Sequence, residues 1–149
     1  MKKFRPIEFS TYVHKSRSDV YQSLITMDGW NGCFTTGASI DLSSKVIHFR
    51  WQNLGPEKIN AETQAKDVEF EVNRRMSFSW HHESLPEPTR VSFELTDKGE
   101  GVVITVKDEG YPQSSKGEFM YMDCSAGWAE FLTLLKIYLE TGYRYKNWE

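Results

Sequence analysis

From Glu118 to Glu140 apolar side chains recur every three or four residues, and this segment follows a series of short stretches that alternate apolar with polar. Met120, Cys124, Trp128, Phe131, Leu135 and Leu139 form the stripe, and Leu132, Leu134 and Tyr138 widen it. Asp123, Glu130, Thr133, Lys136 and Glu140 occupy the opposite arc. A helix of this length spans about 35 Å, so its apolar side needs an equally extended partner. Only a β-sheet built from the alternating stretches can supply one. A sheet wrapped around a long helix leaves a cleft between them, and binding a small apolar molecule is the natural use of such a cleft.

The alternation is regular enough to assign faces. Ile7, Phe9, Thr11 and Val13 fall on one side of a first strand, with Glu8, Ser10 and Tyr12 on the other. The period then changes. Ser16 or Ser18 caps a short helix whose apolar side carries Val20, Tyr21, Leu24 and Ile25, and Asp28-Gly29 interrupts it before a second helical turn over Trp30 to Phe34. From there to Glu109 the spacing predicts strand after strand: Ile47, Phe49 and Trp51, then Val68, Phe70 and Val72, then Met76, Phe78 and Trp80, then Val91, Phe93 and Leu95, then Ile104 and Val106 supply one dry face. Leu42 to Lys45, Asn73 to Arg75 and Asp97 to Gly101 have hairpin length, and Leu85-Pro86-Glu87-Pro88 forms a stiffer turn because proline cannot donate to a ladder. One dry and one wet face is the mark of an antiparallel sheet covered on a single side. Glu69, Glu71 and Glu94 belong to the wet face, where Arg50 and Lys107 are the expected cross-strand partners. Tyr111 to Gly117, with Pro112, Ser114 and Ser115, is either a plain connection or a segment able to open and close. Gly142 stands where a left-handed cap would end the helix, and Tyr143, Tyr145 and Trp148 alternate with Arg144 and Asn147 as in a tail that packs back on the body.

Length and charge narrow the class. A chain of 149 residues suits one domain, over residues 1–149, that buries roughly 70% of its unfolded surface. A net charge of −3 and a pI near 5.8, with Lys2-Lys3 and Arg74-Arg75 as isolated basic pairs, leave no footprint for nucleic acid or an anionic membrane surface. No segment approaches the roughly 20 apolar residues of a membrane span, and no secretory leader is visible, so a cytoplasmic protein is expected. Cys33 and Cys124 are far apart in the chain, which fits reduced thiols rather than a disulfide or thiolate metal site.

A catalytic signature is missing. No nucleophile elbow, zinc-protease, Walker A or dinucleotide motif occurs, and no catalytic residue, metal site or cofactor is expected. His81 and His82 are strand neighbours that point to opposite faces and so cannot share a metal. Cys124 lies on the core stripe of the helix with no base nearby in sequence, and is read as a small apolar group. His82 shares the face of Trp80, either as a polar group in a cavity mouth or as a strand-end histidine near solvent. Aromatic residues make up 14% of the chain. Phe49, Trp51, Phe78, Trp80 and Phe93, opposite Trp128 and Phe131, are therefore the candidate ligand-binding residues, with His82 and Tyr111 as polar anchors. The same rings are bulky enough to fill the interior outright.

The order of elements, with Phe78-Ser79-Trp80 after Asn73-Arg74-Arg75, the Trp51 strand followed by Gly55-Pro56, and Cys124-Ser125-Ala126-Gly127-Trp128 leading to Leu132, Leu135 and Leu139, resembles the START-like (SRPBCC, Bet v 1-like) superfamily. Within it, the chain is most similar to the subfamily named after the C-terminal domain of the activator of Hsp90 ATPase. Ser43-Ser44-Lys45-Val46 stands where members often carry a Gly-Gly pair. The resemblance implies an α+β helix-grip fold: a curved antiparallel sheet of six or seven strands around a long C-terminal helix, with two short helices after the first strand. It also implies three alternative roles: a carrier or receptor for a small hydrophobic or aromatic ligand, an interaction module for an Hsp90-type chaperone partner, or a polyketide cyclase or aromatase-like enzyme with His82 or Tyr111 as proton donor.

Overall fold

A computed structural model describes residues 2–54 and 56–144. The elements run β1 (Ile7–Val13), α1 (Arg17–Leu24), α2 (Met27–Cys33), β2 (Ser39–Asp41), β3 (Val46–Leu54), β4 (Ile59–Glu71), β5 (Arg75–His81), β6 (Thr89–Lys98), β7 (Gly101–Glu109) and α3 (Ser115–Thr141). All strands join one antiparallel sheet in the order β1-β7-β6-β5-β4-β3-β2. From β2 to β7 each strand pairs with its sequence neighbour, and only the β1·β7 ladder, with Ile7 opposite Asp108 and Val13 opposite Val102, joins distant parts of the chain. Irregularities between Trp51 and Leu54 and between Lys66 and Glu69, at Asn53 and Asp67 with φ of 54° and 53°, interrupt the ladders as β-bulges do and add to the curvature. The sheet and its long helix form an α+β helix-grip fold.

The dry face is the one the alternation predicts. Val91, Phe93 and Leu95 of β6, Ile104 and Val106 of β7, and Met76, Phe78 and Trp80 of β5 are all buried. Against them lie Trp128, Phe131, Leu132 and Leu135, in the second half of α3. The helix begins earlier than its periodicity indicates, because the Ser114 side chain accepts from the Gly117 N–H at 3.1 Å and caps it. Gly142, at φ 80°, ends it with its N–H on the Tyr138 carbonyl.

Several expectations change. Asp28-Gly29 does not interrupt a helix but lies in the first turn of α2, because the Thr26 hydroxyl caps that turn through the Gly29 N–H at 3.1 Å. A Cβ on Gly29 would come within 2.2 Å of the Ser23 carbonyl oxygen, so α1 and α2 approach as closely as they do only with glycine there. β4 extends back to Ile59, and Val72 is 77% exposed because the strand ends at Glu71. The charged partners also differ: Glu62, not a residue of Glu69 to Glu71, pairs with Arg50, while Glu69 pairs with Arg90, Glu94 with Arg75 and Lys107 with Glu109. These exposed pairs are worth about 0 to 1 kcal/mol each. The Ser43-Ser44-Lys45 turn is held without glycine. Asp41 Oδ1 accepts from Ser43 and Ser44, and Lys45 takes φ 58°. Those bonds hold the Asp41 carboxyl down to about 2.

The connection from β7 to α3 is tied to the N-terminal segment. Phe4 N–H donates to the Tyr111 carbonyl and Gln113 N–H to the Lys2 carbonyl, both at 2.9 Å, and both Tyr111 and Pro112 are buried. In the tail, Tyr145 and Trp148 lie outside the described residues. Tyr143 is exposed, and Arg144 reaches Asp28 at 3.2 Å.

Candidate ligand groove

The interior is closed by a residue that the strand pattern does not reveal. Trp30, 1% exposed, enters from α2, stacks on Phe131 with ring centroids 4.9 Å apart, and meets Phe49 edge-on at 4.8 Å. Its indole N–H donates to the Leu24 carbonyl at 2.8 Å. Phe78 and Phe93 complete this cluster, with centroids 6.1 Å apart. Four of the sequence-derived candidates, Phe49, Phe78, Phe93 and Phe131, are therefore packed together in the core and none lines the groove described next.

Space remains further along α3. Its first half is poorly covered, with Phe119 and Met122 facing solvent and Met120 and Cys124 half-buried. Beneath it an open groove of about 1190 Å³ runs between α3 and the ends of β3, β4 and β5. Trp51, Trp80 and Trp128 line it together with Phe34 at the end of α2, and Ala61, Ala126 and Gly127 keep its walls low. Trp80 and Trp128 are nearly buried and form the floor, with centroids 5.6 Å apart. Trp51 is anchored through its indole N–H to the Phe34 carbonyl at 3.0 Å. Cys124 faces the groove and not the sealed core expected for it, and burial pushes its thiol up to about 12, which keeps it protonated near neutral pH.

A polar network backs the floor. His82, half-buried at the end of β5, stands with Nε2 3.2 Å from the Thr89 hydroxyl and 3.3 Å from the Tyr111 hydroxyl. Tyr111 donates its one proton to Asp108 Oδ2 at 2.5 Å, and the Trp128 indole N–H donates to the same oxygen at 2.9 Å. With that proton committed, the tyrosine oxygen is an acceptor towards His82, which favours the Nε2–H tautomer. Burial, aided by His81, lowers the His82 pKa to about 4, so the ring is neutral at pH 7. Asp108 has no exposed surface. Burial raises its pKa, while Tyr111, Thr89 and Trp128 hold it back. The polarity of Thr89 reaches Asp108, yet Oδ1 has no partner with hydrogen-bond geometry among the described residues. Tyr111 is raised in turn, first by burial and then by the Asp108 charge.

Of the nine candidates, the fold brings Trp51, Trp80, His82 and Trp128 to the groove, and places Tyr111 behind His82. Asp108 and Trp30 were missed. Asp108 was open to detection, because it continues the inward file of Ile104 and Val106 at the same parity. Trp30 carried no such signal, since α2 is too short to display a periodic face.

A curved antiparallel sheet gripping a long C-terminal helix, with a groove under the helix, defines a START-like domain of the Bet v 1-like superfamily. The chain matches, over residues 16–140, the family described as activator of Hsp90 ATPase homolog 1-like protein, and it belongs to that family. Among solved structures it is similar to the Aha1 dimer from Colwellia psychrerythraea, at 20% identity and a TM-score of 0.72 over 93% of this chain and 98% of that one. It is also similar to CalU16 from Micromonospora echinospora, at 19% identity and 0.70 over 91% and 74%. A protein of unknown function from Staphylococcus aureus, SA2116, gives 0.76 at 9% identity over 95% and 97%. Likeness at these identities concerns the fold. No curated protein sequence matches the chain.

Proposed function

We propose that this domain binds a small hydrophobic or aromatic compound in the groove between α3 and the ends of β3 to β5. The observation that carries the reading is the set of three indoles, Trp51, Trp80 and Trp128, around one open space of about 1190 Å³. That volume exceeds what a drug-sized molecule needs, and apolar walls with a few polar groups are how such molecules are held. His82 supplies a polar group at the floor. Thermal-shift screening with sterols, flavonoid-like compounds and fatty acids tests the reading. A ligand at 100 times its Kd stabilises the folded form by about 2.7 kcal/mol, and no shift with any class would remove the proposal.

A second reading, a docking module for an Hsp90-type chaperone, draws on family membership and on Phe119 and Met122, which are 70% and 65% exposed on α3. Measuring the ATPase rate of such a chaperone with this protein and with a Phe119→Ser/Met122→Ser variant separates the two, because these side chains do not line the groove. Catalysis on an aromatic substrate has less support. Tyr111 is buried and its proton is committed to Asp108, which leaves His82 as the one of these two proton donors that lines the groove.

A further inference from the structure

We infer that the groove selects ligands by charge: it takes an aromatic or apolar amine in its cationic form in preference to the neutral analogue, and rejects carboxylates. This inference rests on the groove being the binding site. Four carboxylates stand on its rim, Asp123 and Glu130 from α3 on one side and Glu62 and Glu83 from the strand side on the other. Among the described residues no lysine or arginine lines it. The chain holds 18 Lys and Arg in 149 residues, so a lining of this size drawn at the composition of the whole chain would include about two. Only Glu62 is compensated, by Arg50 at 3.5 Å, and among the described residues Glu83, Asp123 and Glu130 have no ion pair. His48, His81 and His82 also line the groove, and burial keeps His82, the one nearest the floor, neutral near pH 7.

The floor works in the same direction as the rim. Indole faces carry negative electrostatic potential and attract a cation set over them. Trp51, half-buried at the groove's edge, offers such a ring, while Trp80 and Trp128 border the floor with only 7% and 3% of their surface exposed. A ligand with an aromatic or apolar body and a protonated amine would lay its body against the indoles and its charge between the carboxylates on the two rims. A fatty acid of the same size would meet the same walls with its carboxylate directed at Glu83, Asp123 or Glu130. Like charges at the exposed rim repel such a carboxylate, and the effect is local to the groove and screened by salt.

Three probes with one ring system test this by calorimetry at pH 7 and low salt: 2-naphthylmethylamine, 2-naphthalenemethanol and 2-naphthoate. The expected order is amine tightest, about tenfold over the alcohol, with the carboxylate weakest. The amine-to-alcohol ratio should fall towards one in high salt, and likewise in a Glu83→Gln/Asp123→Asn/Glu130→Gln variant whose melting temperature confirms that it is folded. Equal binding of amine and alcohol, or a preference for the carboxylate, overturns the charge inference and leaves the groove as a ligand site. Binding of none of the three, with no thermal shift in the broader screen, overturns both.

Discussion

The Tyr111 hydroxyl and the Asp108 carboxylate meet at 2.5 Å beneath α3, in a position where Asp108 has no exposed surface at all. A carboxylate is tolerated there because two donors, Tyr111 O–H and Trp128 N–H, converge on one of its oxygens. This contact ties β7, the joint to α3 and α3 itself to one point, directly behind the groove floor.

Tyr111→Phe removes one of those donors while keeping the ring, and Trp128→Phe removes the other while replacing the buried indole by a smaller phenyl. Each should lower stability by about 1 to 3 kcal/mol, as expected when a buried acceptor loses a partner. Since both bonds end on the same oxygen, a double-mutant cycle from denaturant melts should give a coupling of about 0.5 kcal/mol or more. Additive losses would show that the two donors act independently.

Acid should weaken the fold through His82. Its pKa is lowered from 6.5 to about 4 in the folded protein, so between those values the unfolded chain binds a proton that the folded one refuses. The contribution is complete above about pH 6.5 and is lost as the pH falls towards 4, with a size of about 1 to 3 kcal/mol. Asp108 acts in the opposite sense. Its raised pKa favours the folded state at low pH, and that contribution fades as the pH rises through the raised value. Urea melts at a series of pH values should show a His82→Gln variant with a flatter profile than the native protein from pH 4 to 6.5, and an unchanged slope there would contradict the assignment.

Trp30→Ala should cost about 3 to 5 kcal/mol, the loss of a large buried ring together with the cavity it leaves. Trp51→Ala should cost less, because that ring is half-buried at the edge of the groove. Equilibrium unfolding of the two variants settles the ranking, and equal losses would place Trp51 in the core.

Gly127 lines the groove, and a Cβ there would meet no heavy atom within 4 Å. Gly127→Ala should therefore stabilise α3 by about 1 kcal/mol through helix propensity alone. Gly127→Leu should fold normally yet weaken binding of any groove ligand by tenfold or more, read by calorimetry with a compound that binds the native protein. Undiminished affinity would move the site elsewhere.

Much of the fold was legible because its elements are defined by period. The dry file through Phe49, Phe78, Phe93 and Ile104 and the stripe from Met120 to Leu139 are local patterns, and a one-residue slip in any strand would turn its apolar set into water. The second helix was less legible. Its start depends on one hydroxyl, that of Thr26, and on how closely Gly29 lets two helices approach. The groove was legible only in part. Trp51, Trp80 and Trp128 share the inward face with Phe49, Phe78 and Phe131, and nothing in their spacing tells the two sets apart.

The sequence by itself determined the succession of strands, the long closing helix and the face on which apolar side chains collect, since each of these follows from periodicity over a few neighbouring residues. Only the tertiary structure decided that Trp30 fills the space between Phe49 and Phe131, that Asp108 is buried against Tyr111 and Trp128, and that open space survives beneath the first half of α3. Those outcomes depend on how volumes from distant parts of the chain fit together and on which polar atoms find partners once they do.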